Sequence, residues 1–340
     1  MTLGEVINEK YKVVAKLGFG SASTIWCCRN LATNKYTALK IYTHDLIAED
    51  EIDNETSIYK HLSRAGNPDH PGRAYVRTIQ DSFVVTSRAG NPHRCLVHEV
   101  LSNDILSLRY VHPDQKMPEA MLKQILIHLL LALDFLHSEC HIIHTDIKEE
   151  NILLGLIGPF VLEKLDTEEI AASSLYKSVN GYNLYKSANF GISTRFGRPI
   201  LCDSSLARDG QVEHCHDIQP DPYRAPEVWD MFENKRLFDS LDPEMGTYGN
   251  RFHLASIVGL LGLPRFLQRS EFSSVYFDDQ DSEKNLEGAN KKAFLDFVHK
   301  MVRWTPESRA SPSELLEDSW LLQDSACIGA DQMNKPQINS

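Results

Sequence analysis

The spacing of apolar residues changes character once along this chain, near Leu101, and that change limits the fold more than any single residue does. Before it, Tyr11–Leu17, Thr24–Arg29, Tyr36–Tyr42, Tyr75–Thr86 and Arg94–Val100 are short runs rich in β-branched and aromatic residues. Such runs read as strands, with one helix expected among them at Ala48–Leu62. After it, apolar residues at 122, 125, 126, 129, 130, 133 and 136 recur with a helical period over Met121–His137, which gives a broad buried face. Residues 226–322 return to helical patterns, 155–199 have weak periodicity and read as an insertion, and 324–340 read as a loose tail. The expected architecture is α+β, with a small β-rich domain over 1–101 followed by a larger helical one over 102–323.

Composition narrows the class of protein. The 340 residues suffice for about two domains, each with its own core. A net charge of −12 argues against direct nucleic-acid binding and suits a basic protein partner. Seven scattered cysteines (Cys27, Cys28, Cys95, Cys140, Cys202, Cys215 and Cys327) read as reduced thiols of a cytoplasmic or nuclear protein. The opening MTLGEVINEKYKVV has no apolar signal core. The apolar run Ile125–Leu136, interrupted by His128 and Asp134, is expected to be too short to span a bilayer. A soluble monomer without a membrane partner is therefore expected.

Several motifs carry chemistry, and their order along the chain matters. Gly18 and Gly20 sit between two expected strands, so they cap a hairpin able to lie over nucleotide phosphates rather than open a dinucleotide-binding helix. Lys40 lies on a strand with Ala38 on the same side. A buried ammonium needs a carboxylate, and Glu55 supplies one, because Ile52, Glu55, Tyr59 and Leu62 share a helical face. The segment HIIHTDIKEENILL at 141–154 then sets Asp146, Lys148 and Asn151 in six positions between apolar flanks. Asp146 is placed to accept a hydrogen bond from an attacking hydroxyl, Lys148 to face a phosphoryl group, and Asn151 to hold a metal ion.

A second metal-binding Asp is expected, and two stretches compete for the place. Ala188-Asn189-Phe190-Gly191 has Asn where the Asp is wanted, whereas Pro199–Arg208 keeps Asp203 behind the apolar run Ile200-Leu201-Cys202. The buried strand favours Asp203. His137, Cys140, His141 and His144 have spacing reminiscent of a zinc site, and His214-Cys215-His216 follow later. They run off a helix end into a loop rather than converging on a tetrahedron, and read as core or loop residues.

Taken together, these residues resemble the eukaryotic protein kinases, and in detail the SR-protein kinase branch in its fungal form. Thr145 marks the branch, which has His-Thr-Asp where most kinases have His-Arg-Asp. HPGR at 70–73, LHSECHIIHTDIK at 136–148, DIQPDPYRAPE at 217–227 and HLASIVGLLGLP at 253–264 look like family segments. The resemblance runs from Val6 to Leu322 and implies a bilobal kinase fold. It also implies ATP and Mg2+ as cofactors, and transfer of the γ-phosphoryl group to Ser or Thr of Arg/Ser-rich proteins. By the same resemblance Gly18, Gly20 and Ser23 belong to the phosphate loop, Lys40 and Glu55 position ATP, and Glu99 to Leu101 form the hinge that meets adenine. Asp146 is then the proton acceptor, Asn151 and Asp203 bind magnesium, Glu227 pairs with Arg309, and 155–199 corresponds to the branch's insertion.

The chain departs from the family at three places. Glu149 stands where Pro is usual, which reads as a tolerable loop change. Ser204-Ser205 replaces Phe-Gly, so the apolar plug coupling the metal loop to helix Ala48–Leu62 is expected to be lost. After Val228 the chain runs directly into WDMFENKRLF, without the central helix beginning Asp-x-Trp, and a smaller gap is expected near Phe277–Glu287. A catalytically weak pseudokinase serving as a binding module, and a shortened product of altered splicing, therefore stay open beside the enzyme.

Overall fold

A computed structural model describes residues 1–43, 49–87, 89–112, 114–171, 174–179, 182–188, 190–191, 197–214, 257–258, 285–303 and 305–323. The chain divides into two compact units, Met1–Val111 with Phe135–Gln219, and His112–Asp134 with Pro220–Ser340.

The first unit is built on a six-stranded antiparallel sheet. Its strands are β1 (Val6–Ile7), β2 (Tyr11–Phe19), β3 (Ser23–Asn30), β4 (Tyr36–Tyr42), β5 (Asp81–Thr86) and β6 (Pro92–His98), in the order β1-β2-β3-β4-β6-β5. Alternation sorts the side chains onto two faces. Tyr11, Val13, Trp26, Cys28, Leu39, Ile41, Cys95 and Val97 close one core. Ala38 and Lys40 are thereby left on the opposite face of β4. A register shift between Val13 and Ala15 lets Val14 and Ala15 both join the second core, with Cys27 and Ala38. Helix α1 spans Glu49–Arg64.

The insertion is folded onto this sheet. Its helix α4 (Phe160–Ala171) buries Leu162 and Leu165 against Val14, Ala15, Cys27, Ala38 and Val100. Asp166 accepts hydrogen bonds from Tyr36 Oη at 2.8 Å and Arg29 Nη1 at 3.4 Å. Leu162 and Leu165, one turn apart, are the helix's buried residues, and two positions are too few to show a period. Strands β9 (Tyr176–Val179) and β10 (Tyr182–Tyr185) follow as a hairpin, and Tyr185 meets Trp26 edge-on.

Two differences from expectation have local causes. The strand expected from Tyr75 begins only at Asp81, because Pro71–Tyr75 form a 3-10 turn. Pro at its first turn and His70 Nδ1, accepting from Gly72 N at 3.1 Å, favour that turn. Strand β1, two residues long, is too short for alternation to reveal.

Below the sheet's sequence, α2 (Ile105–Arg109) is capped by Asp104, whose side chain accepts from Ser107 N at 2.7 Å. Two short ladders follow: β7 (Ile142–Ile143) with β12 (Arg208–Asp209), and β8 (Ile152–Leu154) with β11 (Pro199–Leu201). Gly197 must be glycine to let the second ladder close, since a Cβ there would come within 2.7 Å of the Gly155 carbonyl oxygen.

In the second unit, α3 (Glu119–Asp134) buries Leu122, Ile125, Leu126, Leu129 and Leu130, as the helical period predicts. Helix α5 (Gly288–Met301) presents Phe294 and Phe297 to Trp320 of α7 (Ser319–Leu322), with ring centroids 4.9 and 5.1 Å apart. Between them in sequence, α6 (Pro312–Leu316) begins with a reciprocal capping box of Ser311 and Glu314. Helix α3 continues into a π turn, Phe135–Glu139. The combined 21-residue helix is long and apolar enough to cross a membrane by length and composition, where the shorter run was expected not to be. Half of its most apolar stretch is buried inside the fold.

The expected pairing of Glu227, the junction Val228-Trp229, the segment 217–227, most of 253–264, residues 277–284, Asn189, Cys215, Cys327 and the tail 324–340 lie outside the described residues.

Candidate active site

Three elements of the first unit bring Lys40, Glu55 and Asp203 together. Lys40 projects from β4, Glu55 from α1, and Asp203 from the turn after β11. Lys40 Nζ lies 3.0 and 3.1 Å from the two Glu55 carboxylate oxygens and 3.4 Å from Asp203 Oδ1. Burial opposes the charge on Lys40, but the facing carboxylates of Asp203 and Glu55 outweigh it and hold the ammonium above the ordinary lysine pKa. Glu55 is 1 % exposed, and burial pushes its carboxyl up against the pull of Lys40. Burial also acts to raise Asp203, yet the charge of Lys40 and hydrogen bonds from Ser205 prevail and hold it at about 2.

The second cluster lies in the loop between β7 and β8. Asp146 is buried. Its Oδ2 accepts from Asn151 Nδ2 at 2.7 Å and from Lys148 Nζ at 2.8 Å, while among the described residues its Oδ1 accepts only from Lys148, at 3.0 Å. Asn151 Nδ2 also donates to the Asp146 carbonyl at 2.9 Å. Both amide hydrogens are thus used, and Asn151 Oδ1, which meets no hydrogen-bond donor among the described residues, is left as an oxygen ligand.

Backbone bonds tie the two clusters to each other. His144 Nδ1 accepts from Asp146 N at 3.3 Å, so the neutral ring carries its proton on Nε2 and donates it to Cys202 O at 3.0 Å. Burial lowers the His144 pKa and favours that neutral form. Cys202 N donates to Asn151 O at 2.8 Å. Thr145 Oγ1 donates to Leu206 O at 2.6 Å. Thr145 and Asp203 both adopt left-handed backbone, with φ of 65° and 62°. Such conformations cost about 1–3 kcal/mol each for ordinary residues and persist where their surroundings dictate them.

Two residues that sequence reasoning passed over complete the arrangement. Asn54 of α1 donates through Nδ2 to Ser205 O at 3.0 Å and to Ala207 O at 3.2 Å. The coupling expected to vanish with Phe-Gly is therefore present in polar form. Glu149, expected as a tolerable loop change, is buried, and both its oxygens are gripped by Arg109. An Asn one residue before Glu55 carries no signal of its own. The approach of Arg109 to Glu149 across 40 positions is invisible without the fold.

The remaining predicted residues lie on the same unit. Gly20 N donates to Ser23 O at 2.9 Å and closes the β2–β3 turn. A Cβ at Gly18 would meet nothing within 4 Å, so open space lies beside it, while one at Gly20 would touch Ser23 Oγ at 3.4 Å. Glu99 is exposed and its carbonyl accepts from Arg77 Nη2 at 3.4 Å. Leu101 is buried with Ile200 and Cys202. No hydrogen bond joins the glycines or Ser23 to Lys40 among the described residues. The oxygens of Asp203 and Asn151 are the hard ligands that magnesium takes beside substrate phosphates, so the donor set fits Mg-ATP. Among the described residues no three His, Cys, Asp or Glu side chains converge as a metal cluster.

Comparison with known proteins agrees with this geometry. The protein kinase domain family matches residues 11–166. A serine/threonine protein kinase of Aspergillus fumigatus is 38 % identical over 359 residues, covering 94 % of this chain and 86 % of that protein. The chain belongs to the protein kinase family. This kinase is also 27 % identical to the serine/threonine-protein kinase SRPK of Physarum polycephalum, over 94 % of its own length and 87 % of the relative's. It is 35 % identical to human SRSF protein kinase 3 over 49 % of its length and 29 % of that protein. A crystallised kinase domain superposes with a TM-score of 0.64 at 19 % identity, covering 94 % of this chain and 98 % of the other. The kinase fold and the serine/threonine protein kinase class follow.

Proposed function

We propose that this kinase transfers the γ-phosphoryl group of Mg-ATP to Ser or Thr hydroxyls in Arg/Ser-rich protein segments. The observation that carries the reading is the division of labour on Asp146. Oδ2 is committed to Asn151 and Lys148, which fixes the carboxylate, and Oδ1 keeps capacity to accept a hydrogen bond from an acceptor hydroxyl. Lys148, already beside that carboxylate, supplies positive charge where negative charge develops on the phosphoryl oxygens. Asn151 Oδ1 and the ionised Asp203 would hold magnesium, and Lys40, fixed by Glu55, would hold phosphate. When bound, Mg-ATP supplies the phosphoryl group and the metal neutralises its charge. The acidic balance of the chain, −12, and the named SR-type relatives favour Arg-rich acceptors, which carboxylates can engage bidentately.

A second reading, a binding module with weak turnover, is favoured by one comparison. The 359 positions matched to the Aspergillus kinase hold about 320 residues of this chain (94 % of 340), so about 39 positions of the match have no counterpart here. The test is radiolabel transfer from Mg-ATP to an Arg-Ser repeat peptide and to its Lys-Ser counterpart. Faster labelling of the Arg-Ser peptide, weakening with added salt, is expected. Equal labelling of both would overturn the substrate class. Mg-ATP stabilisation without labelling would leave the binding module.

A further inference from the structure

Glu149 and Arg109 form a feature that the phosphotransfer chemistry does not use. Arg109 Nε donates to Glu149 Oε1 and Arg109 Nη2 to Glu149 Oε2, both at 2.7 Å. The two side chains are only 7 % and 9 % exposed. This is the planar two-bond pairing that fixes orientation as well as distance. Burial raises the Glu149 pKa, and the guanidinium pulls it back.

What the pair joins gives it a role. Glu149 opens the one-turn 3-10 helix Glu149–Asn151, so it stands two residues before Asn151 and three after Asp146. Arg109 closes α2, a short helix that is itself anchored. Ile105 and Leu108 are buried, Asp104 caps it, and Asp104 bridges to Leu153 of β8. Glu149 pulls its turn toward α2 while Asn151, in the same turn, reaches back to Asp146. A single turn of 3-10 helix has one rotational setting that satisfies both. Among the described residues the loop is also held through His144 and Thr145 at its start and through Asn151 O, which accepts from Cys202 N at 2.8 Å, at its end; Arg109 adds the side-chain grip on Glu149, where the turn begins.

We propose that the Arg109–Glu149 fork is a positioning device that sets the rotation of the Glu149–Asn151 turn and thereby aims Asn151 at Asp146 and at the metal. The inference rests on the phosphotransfer reading for its consequence, and on geometry alone for the clamp. Replacing a buried ion pair by apolar side chains of similar volume is often neutral or stabilising, which allows stability and positioning to be separated. In the full chain, Arg109→Met/Glu149→Leu should fold, with a circular dichroism spectrum like that of wild type. Its hydrogen exchange at amides 144–152 should be faster, and its preference for Mg-ATP over metal-free ATP should fall. Labelling should drop on the order of 100-fold in kcat, as about 1 Å of misplacement costs, with the KM for the acceptor peptide unchanged. The charge-reversed pair Arg109→Glu/Glu149→Arg should recover part of the exchange protection.

Wild-type exchange rates across 144–152 together with wild-type kcat and Mg preference in the apolar double variant would overturn the proposal, leaving the pair a stabilising contact only. If the double variant fails to fold, Glu149→Gln, which keeps size and hydrogen bonding but removes the charge, takes its place with the same criteria. Should wild type neither bind Mg-ATP nor label peptide, the phosphotransfer reading fails, and the exchange rates alone decide the clamp.

Discussion

Replacing Lys40 by Met tests whether the Lys40–Glu55–Asp203 group is a true buried network. The substitution keeps much of the aliphatic length and removes the ammonium 3.0 Å from Glu55. Glu55 is 1 % exposed, so its carboxylate would stay behind without a counter-ion in contact. Breaking a buried pair in this way costs about 3–5 kcal/mol. Arg77 also favours the Glu55 charge, though as the weakest of the influences on it, which puts the expected loss nearer about 3 kcal/mol. The Asp203 side chain is 38 % exposed, and losing that contact adds little. A domain is stable by about 5–15 kcal/mol, so the variant should fold and unfold at lower urea. The pH dependence has a definite sign. Burial already raises Glu55, and without Lys40 it rises further, so the folded state binds more protons than the unfolded one above the ordinary carboxylate pKa. Stability therefore falls with rising pH in that window, and the deficit should be larger at pH 7 than at pH 5. Lys40→Met/Glu55→Leu, which removes both charges, should recover most of the loss. Urea unfolding of the three proteins at both pH values is the measurement. A deficit independent of pH, or a double variant as unstable as the single one, would refute the reasoning.

Asp203, held at about 2, gives the opposite sign: its contribution is complete above the unfolded carboxylate pKa and is lost as pH falls toward about 2. Wild type should therefore lose its advantage over Asp203→Asn only between about pH 4 and pH 2, which acid titration followed by circular dichroism would show. At the junction Val228-Trp229, inserting a helix that begins Asp-x-Trp should raise both the melting temperature and the rate of peptide labelling. Three or four buried apolar side chains at about 1.5–3 kcal/mol each are at stake, and equal values for the two proteins would mean that the short chain is complete.

Much of the fold was legible because its signals are local. Alternation marked β3 and β4 to within a residue of their ends, and the 3.6 period marked α3. The choice of Asp203 over Asn189 rested on burial of the preceding strand, and Pro199, Ile200 and Leu201 are all buried in β11. The insertion was harder. Helix α4 commits only Leu162 and Leu165 to the core, so no periodicity announces it, and its partners Val14, Cys27 and Ala38 lie more than a hundred positions away. The 3-10 turn at Pro71–Tyr75 was missed because the aromatic Tyr75 and β-branched Val76 suggest strand, whereas Pro71 and the His70 cap decide it.

The departures from the family pattern show why residue-by-residue comparison understates a site. Read singly, Ser204-Ser205 removes an apolar plug, and Glu149 replaces a proline at no evident gain. Each change makes physical sense only with a partner elsewhere. Without a bulky plug, the backbone carbonyls of Ser205 and Ala207 are open to a donor, and Asn54 supplies both hydrogens of its amide. Burying Glu149 without Arg109 would leave its carboxylate in the core without the guanidinium that grips both oxygens. Removing one partner of a buried ion pair alone costs about 3–5 kcal/mol, so Glu149 depends on Arg109 being in place. The Lys40–Glu55 pair obeys the same rule. That rule made Glu55 predictable from Lys40, since the demand for a counter-ion was stated by the strand itself. Arg109 states the same demand, but from an amphipathic five-residue helix where an exposed arginine is the ordinary expectation, so only the fold reveals what it grips.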